Sequence, residues 1–566
     1  MKLTGAQAFI KCLEEQGVEV IFGFPGGAVI DLYDELLKTD KITHVLVRHE
    51  QAAVHAADGY ARCTGKVGVV IATSGPGATN TVTGIATAYM DSVPMVIITG
   101  QVPTPLIGND AFQEADICGI TRTCTKHNFL IKDIRDLART VKEAFYIART
   151  GRPGPVLIDF PKDIQVTKYK FSYPDRVSLR GYKPTYNGNF RQIEKAAKLI
   201  LSARKPLLYI GGGINLSAAN DELLKLVEQT RIPVATTLMA MSAFPQGHPM
   251  ALGMLGMHGT FYANMSVAEC DLLIAVGARF DDRVTGRIDC FAEKAKIIHV
   301  DIDPTSIHKN VAVDLPIVGD LKDVLGKLSG SLNHKQELLE DMIEASRPWR
   351  EQIDGWKERH PMEYQGSDSI IKPQFVIEKI RELTADDAII ATEVGQHQMW
   401  TAQFFQFSRP RTFLTSGGLG TMGFGLPAAL GAQVAFPERQ VIDISGDGSF
   451  QMNSQELATL VQHRLPVKIA ILNNNYLGMV RQWQQMFFNE RYSQTPMELP
   501  IDFVKLAEAY GATGLEASKP EEVEPTIKKA LATAGPVLMN FKVARDENVL
   551  PMVPAGKAIH EMVLAS

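Results

Sequence analysis

Short runs of consecutive apolar residues, separated by helix-length stretches, recur along this chain. They are VEVIFGF (18–24), HVLVRHE (44–50), VGVVIAT (67–73), PMVIITG (94–100) and PVLIDFP (155–161), then PLLYIGGG (206–213), DLLIAVGA (271–278) and KIIHVDID (296–303), and finally DAIIATEVG (387–395), RQVIDISGDG (439–448), KIAILNNN (468–475) and PVLMNFKV (536–543). A strand apolar at successive positions is buried on both faces, which requires a parallel sheet covered by helices. At roughly 150 residues per domain, 566 residues make about three to four domains. The runs group into three, so the expected fold is α/β, with three doubly wound parallel-sheet domains. A polar, Pro/Gly-containing stretch at 165–190 and a charged, helix-prone stretch without strand runs set the expected division: 1–180, 190–335, a connecting helix and linker over 336–370, and 371–566.

Composition narrows the function classes. The charge balance of 58 basic and 63 acidic residues, net −5, excludes an overall basic footprint for nucleic acid. Six cysteines without a C-x-x-C pair argue against a disulfide scaffold, structural zinc and a thioredoxin motif, and suit a reducing cytoplasm. The start is read as a folded helix opened by a Thr4/Gln7 capping box rather than a targeting peptide. The uncharged stretch from Val67 to Met90 is interrupted by Gly68, Gly75, Pro76, Gly77 and Gly84. It reads as strand, turn and helix rather than a membrane span.

Ligands of open parallel sheets sit beyond the carboxyl ends of strands. One pair of strand ends carries a specific chemistry. Gly446-Asp447-Gly448 and Asn473-Asn474-Asn475 lie one strand–helix–strand unit apart, so neighbouring strands bring Asp447 and Asn474 together. A carboxylate oxygen, an amide oxygen and a nearby backbone carbonyl suit Mg²⁺, which completes its shell with phosphate oxygens and water. The flanking glycines let a diphosphate approach the backbone. Glu50, closing HVLVRHE and opening a helix, is a second candidate. His49-Glu50 does not begin an H-E-x-x-H zinc helix, because Ala53 stands at the second histidine position. The stretch 416–429 contains Gly418-x-Gly420-x-x-Gly423, a weak dinucleotide fingerprint without clear strand–turn–helix context.

These residues resemble the thiamin-diphosphate signature, and across essentially the whole chain the sequence resembles the acetohydroxyacid synthase (acetolactate synthase) catalytic large subunit family. The resemblance implies a pyrimidine-binding domain at 1–180, a central FAD-contacting domain at 190–335 and a diphosphate- and Mg²⁺-binding domain with a C-terminal tail at 371–566. It implies that Glu50 hydrogen-bonds the aminopyrimidine and favours the tautomer that removes the thiazolium proton. It places Val394, Gly395, Gln396, His397, Gly420, Met422, Gly446, Asp447, Gly448, Ser449, Asn474 and Met479 around thiamin diphosphate, with Met422 as an apolar wedge, and Asp447, Asn474 and Tyr476 on Mg²⁺. Gly27, Gln113 and Lys162 join Glu50 as catalytic candidates.

Phe112, Met257, Arg283 and Trp483 are the implied substrate pocket. Arg283 suits a 2-ketoacid carboxylate. Trp483 suits the longer 2-ketobutyrate. FAD is implied at Gly211, Gly212, Gly213, Thr237, Leu238, Met239, Met257, His258, Gly277, Arg279, Asp282, Arg283, Asp301, Ile302 and Asp320. Spacing alone does not support it, since Gly211-Gly212-Gly213 is not a G-x-G-x-x-G. Asn548 stands where many relatives have His.

The activity expected is decarboxylation of pyruvate and condensation of its hydroxyethyl unit with a second pyruvate or 2-ketobutyrate, giving 2-acetolactate or 2-aceto-2-hydroxybutyrate for branched-chain amino-acid biosynthesis. The rivals are a pyruvate-oxidase-type flavin oxidoreductase and a FAD-independent catabolic acetolactate synthase. Trp483 and Arg283 oppose the first, and RFDD at 279–282 the second. The resemblance further implies a homodimer or homotetramer and a small regulatory subunit. No nucleic-acid or membrane partner is expected.

Overall fold

The computed structural model describes residues 2–498 and 501–564. Among them are three six-stranded sheets, parallel throughout, and one small antiparallel pair, Lys2–Thr4 with Lys168–Lys170. Each of the twelve apolar runs is a strand. Central strands such as Gly68–Ala72, Met95–Gln101, Pro206–Ile210, Leu272–Val276 and Lys468–Asn473 are buried at every position. Sheets buried on both faces must be apolar without alternation, which is what made them readable. The less apolar edge strands, His127–Leu130 and Thr513–Ala517, were not read from the sequence.

Strand order decides where ligands fit. In the first sheet the order is 43–46, 20–23, 68–72, 95–101, 155–161, 127–130; in the third it is 413–414, 389–392, 441–446, 468–473, 537–542, 513–517. Numbered within each sheet, both read 2-1-3-4-6-5. The central sheet, 251–254, 234–236, 206–210, 272–276, 296–301, 315–318, reads 3-2-1-4-5-6. The order reverses between strands 20–23 and 68–72, between 206–210 and 272–276, and between 389–392 and 441–446. Crevices open at such reversals, beyond the strand ends. The glycine-rich segments 25–27, 74–77, 211–213, 277–279, 393–395 and 446–448 occupy these three places.

The first and third units pack through helices Glu50–Thr64 and Gly425–Ala435. A Cβ on Gly59 would meet Ala428 O at 2.3 Å, and one on Gly431 would meet Ala56 O at 1.8 Å, so the backbones touch. The pairing of 59 with 428 and 56 with 431 makes the helices antiparallel. Thr4 caps the first helix, Gly5–Glu15, by the expected reciprocal bonds with Gln7, 3.2 and 3.1 Å. Residues 336–359, read as connecting helix and linker, form helices Gln336–Ala345 and Arg347–Arg359. Their buried Trp349 and Trp356 join the apolar cluster over the central sheet, and Trp349 Nε1 donates to Pro206 O at 3.1 Å. All six cysteines are free. No helix among the described residues is long and apolar enough to cross a membrane.

Candidate active site

A cavity opens at the reversal point of the third sheet. It is lined by Val394, Gly395, Gln396, His397, Met422, Gly446, Asp447, Gly448, Ser449, Asn474, Tyr476 and Met479, together with Trp400, Leu472, Leu477, Gly478 and Val480. The family resemblance groups the first twelve around one ligand, and they line one cavity. Gly420 stands just outside, its φ +62° in the left-handed region, next to Val394.

The donor set suits a metal-bound diphosphate. Asp447 follows strand Val441–Gly446 and Asn474 follows Lys468–Asn473. Asn474 Oδ1 accepts from Tyr476 N at 3.0 Å, and Asn475 turns the chain back with φ +53°. Burial pushes the Asp447 carboxyl up to about 7. Ser449 Oγ and His397 Nε2 are buried without partners, and burial holds His397 neutral, its pKa lowered to about 3. A Cβ on Gly446 would strike the His397 ring at 2.7 Å and one on Gly448 would strike Leu477 at 2.7 Å, so side chains there would close the cradle.

Behind this cavity lies a residue whose role the sequence reading left unassigned. Glu393 is fully buried and accepts the N–H of Gly423 at 2.6 Å and of Leu426 at 3.2 Å, at the start of helix Gly425–Ala435. Burial and the adjacent Asp443 raise its pKa well above the ordinary glutamate range. It pins the segment that carries Met422. The segment TEVGQ marked a strand-end loop, but nothing in it revealed where the carboxylate points.

The first sheet's reversal point gathers a separate group. Glu50, nearly buried, accepts from Asn80 Nδ2 at 3.0 Å and abuts Gly77. Gly26 packs on Thr73, whose Oγ1 is buried without a partner. Gln113, held at φ +56°, lies against Gly75. Lys162 pairs with Asp31 and donates to Gly27 O at 3.1 Å. Phe112 points outward, 88% exposed.

Within one chain the two groups do not meet. The Asp447 cavity is lined only by residues between Val394 and Val480. Glu50 begins its helix at the end where its antiparallel partner finishes, whereas Glu393 and the cavity lie where that partner starts. At 1.5 Å per residue this separates them by more than about 15 Å.

Arg283 and Met257 line a third cleft with Gly256, Asp282 and the tail residues Val553 to Gly556. Met257 N donates to Arg283 O at 2.7 Å, and Val553 N to Met257 O at 2.8 Å. The Arg283 guanidinium stands over Trp483, whose buried Nε1 lacks a partner. The tail is tied to helix Gly478–Phe487: Arg481 Nη2 donates to Asn548 Oδ1 at 2.6 Å, and Gln482 exchanges two bonds with Val549.

The central reversal point holds another cleft, lined among the FAD candidates by Gly212, Gly213, Met239, Gly277, Arg279, Asp301, Ile302 and Asp320. Burial raises Asp301 to about 6. Gly211 instead packs against the Gly277 backbone, and Thr237, Leu238 and His258 lie outside the lining. The remaining FAD candidates, Met257, Asp282 and Arg283, belong to the tail cleft. Asp91, Arg152 and Tyr186, which the sequence reading did not propose, do line this cleft.

The comparisons agree with this layout. Residues 3–120 match the family described as thiamine pyrophosphate enzyme, N-terminal TPP binding domain; 193–328 match the central domain; 393–541 match the C-terminal TPP binding domain. The acetolactate synthase large subunit of Mycobacterium tuberculosis is 53% identical over 100% of this chain and 92% of its own length. That of Haemophilus influenzae is 49% identical over 100% of this chain and 98% of its own. The Escherichia coli acetolactate synthase isozyme 3 large subunit is 49% identical over 100% of this chain and 99% of its own. With three thiamin-enzyme domains in order and full-length identity near one half, this chain belongs to the acetolactate synthase large-subunit family of thiamin-diphosphate enzymes.

Proposed function

We propose that this chain decarboxylates pyruvate and joins the two-carbon remainder to a second pyruvate or to 2-ketobutyrate. The observation that carries this reading is Arg283 beside Trp483: a forked cation and an apolar surface, the latter on helix Gly478–Phe487, whose first turn lines the Asp447 cavity, suited to a 2-ketoacid acceptor. Bound thiamin diphosphate supplies a carbon nucleophile and an electron sink for losing CO₂ from a 2-ketoacid. The residues present fit it. Asp447, Asn474 Oδ1 and the Tyr476 carbonyl would hold Mg²⁺, and the 446–449 turn would hold the diphosphate. Met422, in the cavity wall, would supply an apolar wedge against the bound cofactor. Glu50 holds a proton at the aminopyrimidine nitrogen. Lys162, bonded to Gly27 O, and Gln113, against Gly75, would stand near the cofactor's reacting end. The tail, tied to helix 478–487, excludes water.

The reading includes the division into pyrimidine-binding, central and diphosphate-binding domains at 1–180, 190–335 and 371–566, a cytoplasmic location, and FAD in the central cleft, where Arg152, Arg279 and Asp301 offer partners for a dinucleotide. It also includes a homodimer core. Glu50 does not line the Asp447 cavity of its own chain, and exposed apolar side chains neighbour both groups in sequence: Phe24, Ile30 and Phe112 the first, Leu419, Met452 and Val480 the second. A second copy would join the halves and cover these surfaces. A small regulatory partner is suggested by the relatives' designation as large subunits.

The test is incubation of the purified protein with pyruvate, Mg²⁺, thiamin diphosphate and FAD. Acetolactate with one CO₂ per product supports the reading. CO₂ without acetolactate, or stoichiometric reduction of oxygen or a quinone, rejects it.

A further inference from the structure

A buried ion cluster joins the central cleft to the thiamin cavity. Arg62, Asp58 and Asp91 are almost inaccessible, with side-chain exposures of 9%, 0% and 0%. Arg62 pairs with Asp58 one helical turn away, and its Nη2 reaches Asp91 at 2.9 Å. Asp91 also accepts the N–H of Gly417 at 3.1 Å and of Gly418 at 2.8 Å. Each hydrogen-bonding partner of this carboxylate, Arg62, Gly417 and Gly418, is a donor, and the Asp58 carboxylate lies across Arg62 from it.

Asp91 lines the central cleft between Met90 and Ser92, as does Met239. Gly417 and Gly418 are wedged against the same residues. A Cβ on Gly417 would lie 2.4 Å from Met239 Sδ, and one on Gly418 would lie 2.8 Å from Met90 Cβ and 2.9 Å from Asp91 Oδ1. The chain then runs to Thr421, whose hydroxyl bonds that of Thr87 at 2.7 Å and whose N–H bonds Ser416 Oγ at 2.9 Å. The next residue, Met422, lines the thiamin cavity. Four residues span at most about 14 Å, so one short, clamped segment is a wall of both clefts.

We propose that Asp91 is a positioning residue that couples the two clefts: a dinucleotide packed against Met90–Ser92 holds the Asp91 carboxylate, which fixes Gly417–Gly418 and so the Met422 wall. The proposal rests on the reading of the central cleft as the FAD site. Coupling of this kind is reciprocal, each ligand tightening the other by the same factor.

The experiment measures affinities rather than turnover. Thiamin diphosphate is titrated at saturating Mg²⁺ by quenching of tryptophan fluorescence, with and without FAD; FAD is titrated by its own fluorescence, with and without thiamin diphosphate. The wild-type protein is compared with Asp91→Asn and Gly418→Ala. The amide presents a donor to partners that are themselves donors, while the alanine leaves the ion cluster whole and pushes the segment off it. In the wild type each ligand tightens the other by about fivefold or more; in both variants that factor falls below about twofold while each ligand alone still binds. Gly418→Ala carries the test should Asp91→Asn not fold. A wild-type factor of one, or variants that keep the wild-type factor, overturns the coupling and leaves the cleft's assignment standing. Failure of FAD to titrate the wild type overturns both.

Discussion

The Arg283 guanidinium stands 5.9 Å from the centroid of the Trp483 ring, although the two follow strands of different sheets. The Arg side chain is half-exposed and faces a cleft closed by the C-terminal tail. A carboxylate held by Arg283 would therefore have its alkyl group beside the indole. Replacing Trp483 by Leu removes that surface. One methylene in such a pocket is worth about 1–3 kcal/mol, so in competition between the two acceptors the ratio of 2-aceto-2-hydroxybutyrate to 2-acetolactate falls by about tenfold. An unchanged ratio would show that Trp483 does not contact the acceptor.

Glu50 is nearly buried, and among the described residues its carboxylate bonds to one side chain, Asn80. Glu50→Gln retains the shape and the bond to Asn80 but holds the proton wrongly. Loss of a positioned acid–base group costs about 10²–10⁴-fold in rate. Turnover is expected to fall within that range while thiamin diphosphate still binds. Activity within threefold of wild type would remove Glu50 from the mechanism.

Because Glu50 does not line the Asp447 cavity of its own chain, two inactive variants should complement each other. Glu50→Gln and Asp447→Ala, unfolded and refolded together, form mixed dimers with one intact site of two. Random twofold pairing restores about a quarter of wild-type activity. No recovery in mixtures shown by sedimentation to contain mixed dimers contradicts a shared site.

The carboxylate of Glu456 bridges the first and third units, accepting Arg48 N at 2.9 Å and Thr459 Oγ1 at 2.7 Å. Burial raises it to about 7. The folded state thus binds its proton more tightly than the unfolded chain. The stability it contributes is full below the ordinary glutamate range and is lost as pH rises through about 7. Glu456→Gln lacks this dependence. Its unfolding temperature relative to wild type should rise between pH 5 and 7.5, by the equivalent of up to about 3 kcal/mol. A difference that stays flat, or that falls, reverses the assignment.

The three sheets were legible because strands buried on both faces cannot alternate, and the Asp447/Asn474 pair because adjacent parallel strands juxtapose their ends. The strands missed were mostly short or at edges: 127–130 and 513–517 at edges, 413–414 beside the glycine-rich wall, and 234–236, 251–254 and 315–318 of the central sheet. Residues 336–359 resembled a linker because their charged faces dominate, and only packing against Pro206 reveals Trp349 as core. Asp91, in DSVP, belongs to no motif that the sequence singles out. Its carboxylate acquires meaning from Arg62 and from Gly417 and Gly418, which lie more than three hundred positions further on.

Periodicity and residue type by themselves determined which segments became buried strands and which loops could cradle phosphate, since both depend on local covalent pattern. Tertiary structure alone decided that the FAD candidates divide between two clefts, that Glu50 stays out of the Asp447 cavity of its own chain, and that Asp91 reaches the glycine-rich wall. Such relationships arise from how separate sheets and helices pack, and packing direction leaves no mark on the spacing of residues along a chain.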